Sequence, residues 1–317
     1  MQTHCVAPER LACFGNIRGA VMSGRLRIRE QIIQAVLFAC ALLSIVTTGG
    51  IIVVLVSESI AFFRHVPVLD FVTGTHWAPL LEPRSFGVLP LVCGTFLVGG
   101  GALLLAVPVG LLTALFLSEY APPGLRNVLK PVLEVLAGIP TVVYGYFALT
   151  FITPNVLQVI YPPTEVFNAA SAAIVVGVMV IPTIASICDD AFRAVPRSLR
   201  EGAFALSATR LEVSTRIVLP AAMSGVVAGT LLAFARAIGE TMAVTLAAGL
   251  TPKMTLNPFV SIQTLTSYIV QVSLGDTPAG TIEYQSIFAC GLTLFVITFT
   301  INVVAQRVLR RFREVYD

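Results

Sequence analysis

The sequence has few charged residues and few of the side chains that usually carry catalytic chemistry. Only 12% of its 317 residues are charged, whereas a soluble globular chain carries about 25%. Its two lysines, Lys130 and Lys253, do not follow a glycine, which excludes the Gly-Lys-Ser/Thr loop that binds ATP. The three histidines, His4, His65 and His76, lie outside every long apolar run, which argues against a haem or di-metal centre within such runs.

The cysteines and the net charge exclude further classes. None of the six cysteines is in a C-x-x-C spacing, and three lie within apolar runs, where cysteine behaves as a small hydrophobe. The sequence therefore predicts no disulfide, no metal site and no cofactor. A net charge of +3 is too small to indicate a nucleic-acid partner.

The sequence is rich in long apolar runs. Hydrophobic residues make up 56% of the chain, and the mean hydropathy is +0.88. A helix needs about 20 residues to cross roughly 30 Å of hydrocarbon. The sequence therefore predicts an all-α integral membrane protein with six transmembrane helices. The predicted spans cover approximately residues 32–56, 88–117, 132–152, 169–187, 221–250 and 287–304.

The positions of the cations predict the orientation. Sixteen of the twenty lysines and arginines lie in the N-terminal segment, the second and fourth loops and the tail, and three lie in the other loops. Because positive charge favours the cytoplasmic side, both termini are expected in the cytoplasm. This divides the chain into a basic segment (1–31), a transmembrane domain (32–304) and a basic tail (305–317).

One stretch leaves the topology open. Residues 259–274 are moderately apolar and could enter the membrane as a short re-entrant helix. A complete seventh crossing is rejected because it would place the arginine-rich tail outside. The first apolar run is longer than a signal-peptide core and no A-x-A site follows it, so we expect it to be retained.

The cytoplasmic loop at 188–220 carries two helix-start patterns. Ser198 with Glu201, and Thr209 with Glu212, both fit the capping box. They predict two short helices joined near Ser207 beneath the membrane. These patterns alone would equally fit an elbow that returns the chain to the bilayer.

The same loop resembles the EAA loop of ABC importer permeases: Glu-Ala-Ala, three residues, Gly, nine residues, Ile-x-Leu-Pro. Here Glu201-Gly202-Ala203 is followed at the same spacing by Ser207 and by Ile217-Val218-Leu219-Pro220. Gly202 replaces the second-position alanine. Ser207 replaces the usual glycine, so it must make the bend without glycine's freedom at positive φ.

In that family the loop docks a coupling helix onto a separate ATP-hydrolysing subunit. The resemblance thus implies that the chain is not itself an enzyme. It also implies an ATPase-coupling role for Arg200, Glu201, Gly202, Ala203, Ser207, Leu219 and Pro220.

Two charges lie in the middle of the fifth predicted span. Arg236 and Glu240 are four residues apart, so on a continuous helix they would share one face and pair. A charge at mid-bilayer costs on the order of 3 kcal/mol, so such residues usually face a protein interior or an aqueous cavity. The pair is either a structural ion pair or part of a transport pathway. We favour the pathway, since a guanidinium suits an oxyanion and the carboxylate offsets its charge.

Three segments resemble the phosphate-specific branch of ABC permeases: FGVLP (86–90), GIPTVVYG (138–145) and RAIGETMAVT (236–245). The last is closer to the PstC type than to its sister, the PstA type. The resemblance runs from about residue 71 to 310. It implies a type I ABC importer permease fold and translocation of inorganic phosphate across the bacterial inner membrane, with a role for Arg236 and Glu240. The implied partners are a PstA-type permease, a dimer of PstB-type ATP-binding subunits, a PstS-type phosphate-binding protein and membrane lipid.

Alternatives stay open. The substrate could be another oxyanion such as sulfate or molybdate, or the chain could be the sister permease. A proton-coupled carrier using Glu240 would need no ATPase. An intramembrane enzyme would need a catalytic arrangement at membrane depth, and the sequence shows none. A local pair between Lys130 and Glu134 is also expected near the third span.

Overall fold

The computed structural model describes the backbone of residues 24–278 and 280–312, and the side chains of 30–278 and 280–307. Most of the predicted basic N-terminal segment, residues 1–23, and the last five residues of the predicted tail lie outside the described residues. The chain divides into two units, residues 1–54 and 55–317.

The first unit contains most of one long helix, α1 (Gly24–Phe63). From residue 30 to residue 54 its described side chains are exposed, except for the half-buried Ile52. Within α1, Glu30–Phe63 is long and apolar enough to cross a membrane. An apolar helix surface of this kind is suited to contact with lipid.

The second unit is also helical, with one small hairpin. Strands β1 (Trp77–Ala78) and β2 (Ser85–Phe86) are antiparallel, with Trp77 paired to Phe86. Short π-helical segments follow α3, join α5 to α6, and join α9 to α10. The helices are α2 (Val68–Thr73), α3 (Leu89–Leu115), α4 (Pro123–Ala137), α5 (Thr141–Phe147), α6 (Gln158–Ile160), α7 (Ala169–Ala194), α8 (Arg197–Ala205), α9 (Arg210–Val213), α10 (Leu219–Ala221), α11 (Met223–Ile238), α12 (Met242–Ala248), α13 (Leu265–Ser273) and α14 (Ile282–Phe312).

The described residues contain five helices that are long and apolar enough to cross a membrane. A sixth is obtained if the bent pair Arg210–Ala221 and Met223–Ile238, which meet at 72°, forms one span. This agrees with the predicted all-α membrane fold of six spans. The five are Glu30–Phe63, Leu89–Tyr120, Thr141–Ile160, Ala169–Ala194 and Ile282–Arg307.

The third span lies further along the chain than the predicted 132–152. Helix α4 ends at Ala137, and the spanning helix begins at Thr141, directly after Pro140. Proline lacks a backbone N–H and disfavours a helical residue before it, so the chain breaks there. No side chain of α4 is buried, which marks it as a separate surface helix. The apolar composition on both sides of the break had suggested one run.

The fifth span also differs from the predicted continuous run 221–250. Helix α11 ends at Ile238, Gly239 occupies its C-cap, and α12 starts only at Met242. At the other end, α11 bends away from the helix that precedes it. Alanine and glycine lie on both sides of the break, so the hydropathy of the sequence does not change there.

Helix α7 is the centre of the second unit. Of its most apolar window, 61% is buried, against 28% or less for the other four spanning helices. Helices α3 and α11 pack on it through small side chains, including Ala102, Ala106 and Ala233. Helix α5 reaches α12 in the same manner, since a Cβ on Gly145 would lie only 2.9 Å from the Leu246 Cβ. Small residues let membrane helices approach closely.

The segment between α12 and α13 is non-helical and is fastened to the start of α7. The Ala170 N–H donates to the Pro258 carbonyl at 2.7 Å, and the Ser261 N–H donates to Glu165 Oε2 at 2.7 Å. The Ser261 N–H, with a smaller effect of Lys253, holds the pKa of the Glu165 carboxyl below its usual value. This contribution to stability is present above the carboxyl's ordinary pKa and is lost as the pH falls through the lowered value.

Helix α13 lies within the stretch 259–274 and agrees with the rejection of a complete seventh crossing there. This helix has nine residues, a length of about 14 Å, which is too short to cross the membrane. Leu265, Tyr268 and Val272 are buried within the second unit. The stretch is therefore a packed short helix preceded by an extended segment.

Ion pairs join α4 to the end of α7. Asp189 is fully buried, and its Oδ2 accepts from Arg126 at 2.6 Å and from Lys130 at 3.4 Å. The exposed Asp190 accepts from Lys130 at 2.7 Å. Lys130 thus pairs with α7, and the predicted pair with Glu134 is wrong. Residues 126 and 130 are one helical turn apart, which lets both reach the same carboxylate.

Asp189→Asn is expected to lower the free energy of unfolding by about 3 kcal/mol, because it leaves the Arg126 charge uncompensated beside a buried group. Asp190→Asn is the matched control, and its exposed pair should cost less than about 1 kcal/mol. Unfolding of the purified chain in mixed micelles measures both. Equal losses in the two variants would contradict this assignment.

Candidate functional site

Arg236 lies in the last turn of α11, on a surface that the chain leaves open. Its side chain is exposed, whereas Ala233 and Ala237 beside it are buried. Its Nη1 donates to Thr183 Oγ1 on α7 at 3.2 Å, the one hydrogen bond this guanidinium makes within the described residues. A guanidinium has five donors, so most remain available at this surface.

Glu240 lies beyond the end of α11, and its side chain caps the next helix, α12. It is half-buried, and its Oε1 accepts from the Ala243 N–H at 3.2 Å, in the first turn of α12. A carboxylate here satisfies a free N–H and complements the positive end of the helix dipole.

The predicted close pair between Arg236 and Glu240 is wrong. Throughout 30–278 and 280–307, no ion pair joins these two side chains. The prediction assumed a continuous helix, and the chain leaves the helix at Gly239. The i, i+4 rule does not apply across such a break. The guanidinium and the carboxylate are therefore positioned separately, each by its own neighbours.

The loop between α7 and α11 contains the two predicted short helices. They are α8 and the helix that begins with α9, and Ser207 lies between them. The second predicted capping box is present: Thr209 Oγ1 accepts from the Glu212 N–H at 3.3 Å, and the Thr209 N–H donates to Glu212 Oε2 at 2.9 Å. The Thr209 N–H and hydroxyl lower the pKa of the Glu212 carboxyl.

The first predicted capping box is absent. Helix α8 starts at Arg197, its N-cap is Pro196, and it has no side-chain cap. Proline needs no N–H partner and its fixed φ suits a helix start. The helix therefore begins at Arg197, two residues before the start that a cap at Ser198 would give.

Ser207 adopts the left-handed conformation, with φ of +63°. Its N–H donates to the Phe204 carbonyl at 2.9 Å, which closes the end of α8. The bend thus needs the positive φ that glycine adopts freely, and the serine takes it at a cost of about 1–2 kcal/mol. The predicted junction of the two short helices near Ser207 is confirmed.

Arg200 points into the protein. Its Nη2 forms an ion pair with Glu119 Oε1 at 3.0 Å, and its guanidinium also donates to the Phe192 and Val195 carbonyls, both at 2.6 Å. The side chain is only 16% exposed. Arg200 therefore ties α8 to the ends of two transmembrane helices, and its role in ATPase coupling stays a prediction.

The surface of this loop exposes four large apolar side chains among its charged ones. Leu206 is 86% exposed, and Leu199, Phe204 and Leu211 are also exposed. Glu201 and Gly202 lie on the surface, and Ala203 is buried. At the far end, Leu219 is half-buried and Pro220 exposed. Sequence reasoning missed these apolar residues, although their presence in a charged loop is the signal that could have found them.

Comparison with protein families gives one match over most of the chain. Residues 106–314 match the family described as "Binding-protein-dependent transport system inner membrane component". The match covers the described part of the bundle from within α3 to α14, including the loop with α8.

Curated relatives extend the similarity. The probable ABC transporter permease protein YqgH of Bacillus subtilis is 36% identical over 84% of this chain and 86% of its own length. The phosphate transport system permease protein PstC of Mesorhizobium japonicum is 32% identical over 96% of both chains. A crystal structure of a bacterial ABC transporter involved in alginate import is 18% identical, with a TM-score of 0.62 over 91% of this chain and all of the other, and shows a common fold.

The Arg200–Glu119 contact predicts non-additive substitutions. Arg200→Gln and Glu119→Gln should each destabilise the protein, and the double variant should lose less than the sum, with a coupling of about 1 kcal/mol or more, because both side chains are largely buried. Thermal unfolding of the four proteins measures the cycle. Arg197→Gln, an exposed arginine of the same helix, is the control and should be nearly neutral; additive losses would rule out the contact.

Proposed function

The chain belongs to the family of binding-protein-dependent transport system inner membrane components, and on that premise we propose that it is the permease subunit through which an ATP-driven importer moves inorganic phosphate inward. It is a multi-pass protein of the inner membrane, as its family and its apolar helices show. The observation that carries the proposal is Arg236, a charge in a spanning helix with most of its donors open. The PstC-type relatives support phosphate as the substrate.

The chemistry of the site fits an oxyanion. A planar guanidinium binds tetrahedral anions through two parallel N–H bonds, and the low dielectric of the membrane strengthens that contact. Glu240 bonds to the start of α12 and is set apart from Arg236, so it lowers the local positive charge without occupying the guanidinium. An anion bound by Arg236 is thus held but not trapped.

The exposed side of Arg236 requires a second subunit. A charged side chain at this depth does not face lipid unpaired. We infer that a PstA-type permease covers this face and that the pathway runs between the two chains.

The loop around α8 is the proposed contact with the ATP-hydrolysing subunits, a dimer of the PstB type. Its exposed apolar residues, together with Glu201, Gly202, Ala203, Ser207, Leu219 and Pro220, form or shape the docking face. Arg200 has a different part in this proposal. It holds α8 against α7 and against the π-helical segment that follows α3, so that a displacement of α8 by the ATPase moves the transmembrane helices.

The remaining partners follow from orientation. The end of the bundle that bears α8 also bears Arg126, Lys130 and Arg193, which favours the cytoplasm. Both termini are then cytoplasmic. A PstS-type phosphate-binding protein would dock on the opposite face, and lipid would cover the apolar helix surfaces.

The direct test is ATP-dependent uptake by the reconstituted complex, with phosphate and sulfate in competition. We expect phosphate uptake that excess sulfate does not suppress. Deleting residues 200–207 should abolish uptake and release the ATPase subunits. Uptake that survives this deletion and follows a proton gradient would indicate a secondary carrier, and suppression by sulfate or molybdate would indicate another oxyanion.

Arg236→Gln is expected to reduce phosphate uptake by roughly 10- to 100-fold, because a neutral amide loses a charge-assisted bond worth about 1.5–3 kcal/mol. Arg236→Lys keeps the positive charge but lacks the two parallel N–H donors of the guanidinium, so it should retain part of the rate of phosphate uptake. Uptake and co-purification of the complex are measured in parallel. Normal uptake in the glutamine variant, or loss of assembly, would assign Arg236 a structural role instead.

A further inference from the structure

The break in the fifth span is held by a side chain from another helix. Thr266, in the first turn of α13, donates its hydroxyl to the backbone carbonyl of Glu240 at 2.8 Å. Thr266 is 5% exposed, so this bond is shielded from water. Carbonyls that leave a helix at membrane depth need partners, because lipid supplies none.

Thr266 is itself fixed by a buried hydroxyl network. Its Oγ1 lies 3.0 Å from Thr264 Oγ1, and Thr264 shares a capping box with Ser267 at the start of α13. The Leu265 N–H donates to Thr95 Oγ1 on α3 at 3.1 Å. A fully paired buried network of this kind holds one geometry. The first turn of α13, which carries Thr266, is therefore bonded to α3.

Arg236 and Glu240 lie on opposite sides of this break, and each is held by a different helix. Arg236 is held by Thr183 of α7, whereas the backbone of Glu240 is held by Thr266 of α13. The carboxylate of Glu240 then caps α12. If the Glu240 carbonyl were released, the continuous-helix geometry that its sequence allows would compete with the break, and the two side chains could pair.

We propose that Thr266 is a positioning residue for transport: its hydroxyl holds the Glu240 carbonyl so that the helix stays broken at Gly239 and Arg236 remains unpaired for the anion. This inference rests on the proposed function of Arg236. It assigns a role in translocation to a residue that does not itself touch the anion.

A structural role for Thr266 in α13 alone predicts something different. Ser267 lies next to it, is fully buried, and caps the same helix with Thr264. Ser267 makes no contact with Glu240 among its hydrogen bonds in the described chain. Ser267→Ala removes a capping hydroxyl of α13 but leaves the Thr264–Thr266 contact and the bond from Thr266 to the Glu240 carbonyl in place, and it is the matched control.

The experiment compares Thr266→Val, Thr266→Ser and Ser267→Ala in the assembled complex. Phosphate uptake in proteoliposomes gives KM and the maximal rate, and hydrogen exchange of residues 238–243 in the same complex reports the break. Thr266→Val should lower the maximal rate about tenfold and speed exchange at the break about tenfold, as expected for one buried hydrogen bond. KM should change little, because the binding protein captures the substrate.

Thr266→Ser keeps the hydroxyl and should restore both values, and Ser267→Ala should leave both within about twofold of the wild type. Wild-type uptake in Thr266→Val, failure of the serine rescue, or unchanged exchange at the break would overturn the proposal. If the wild-type complex carries no phosphate, the proposed function fails. The exchange measurement needs no substrate and still decides whether Thr266 holds the break.

Discussion

Within a bilayer every backbone N–H and C=O must find a partner in the protein, and this constraint shapes each irregular part of the second unit. Where α11 ends, the Thr266 hydroxyl donates to the Glu240 carbonyl, and the Glu240 carboxylate accepts from an N–H of α12. Where α7 begins, Asn168 accepts from the Ser171 N–H at 2.7 Å and donates to Thr153. Polar side chains therefore meet the backbone where these helices begin and end, and one such place, the break at Gly239, separates the two charges of the proposed site.

The charges follow a related rule. At the end of the bundle near α8, buried acids and bases neutralise one another, as in Asp189 with Arg126 and Glu119 with Arg200. Such pairs hold surface helices to spanning helices, and removing one partner leaves a costly charge. Arg236 differs because it makes a neutral hydrogen bond and no ion pair within the described chain. The charges that join helices are thus paired, whereas the guanidinium of Arg236 keeps open donors for the proposed anion.

Much of the fold was predictable because its signals are local. Apolar runs of about 20 residues identify spans without knowledge of their neighbours. The capping box at Thr209 and the bend at Ser207 were likewise readable from a few adjacent letters. The breaks at Pro140 and Gly239 were not recognised, since hydropathy is similar on both sides. The start of α8 was misplaced by two residues, because Pro196 precedes the first helical residue and no side-chain cap is used.

The sequence by itself determined the membrane class, the number of apolar runs and the resemblance that the family match bears out. Only the tertiary structure decided where the charged side chains point. Arg200 turns inward because Glu119 lies 81 residues away in sequence but beside it in space. Arg236 and Glu240 are separated because the backbone at Glu240 bonds to Thr266, 26 residues further on. Helical periodicity describes a continuous helix, and contacts between distant segments decide where that helix ends.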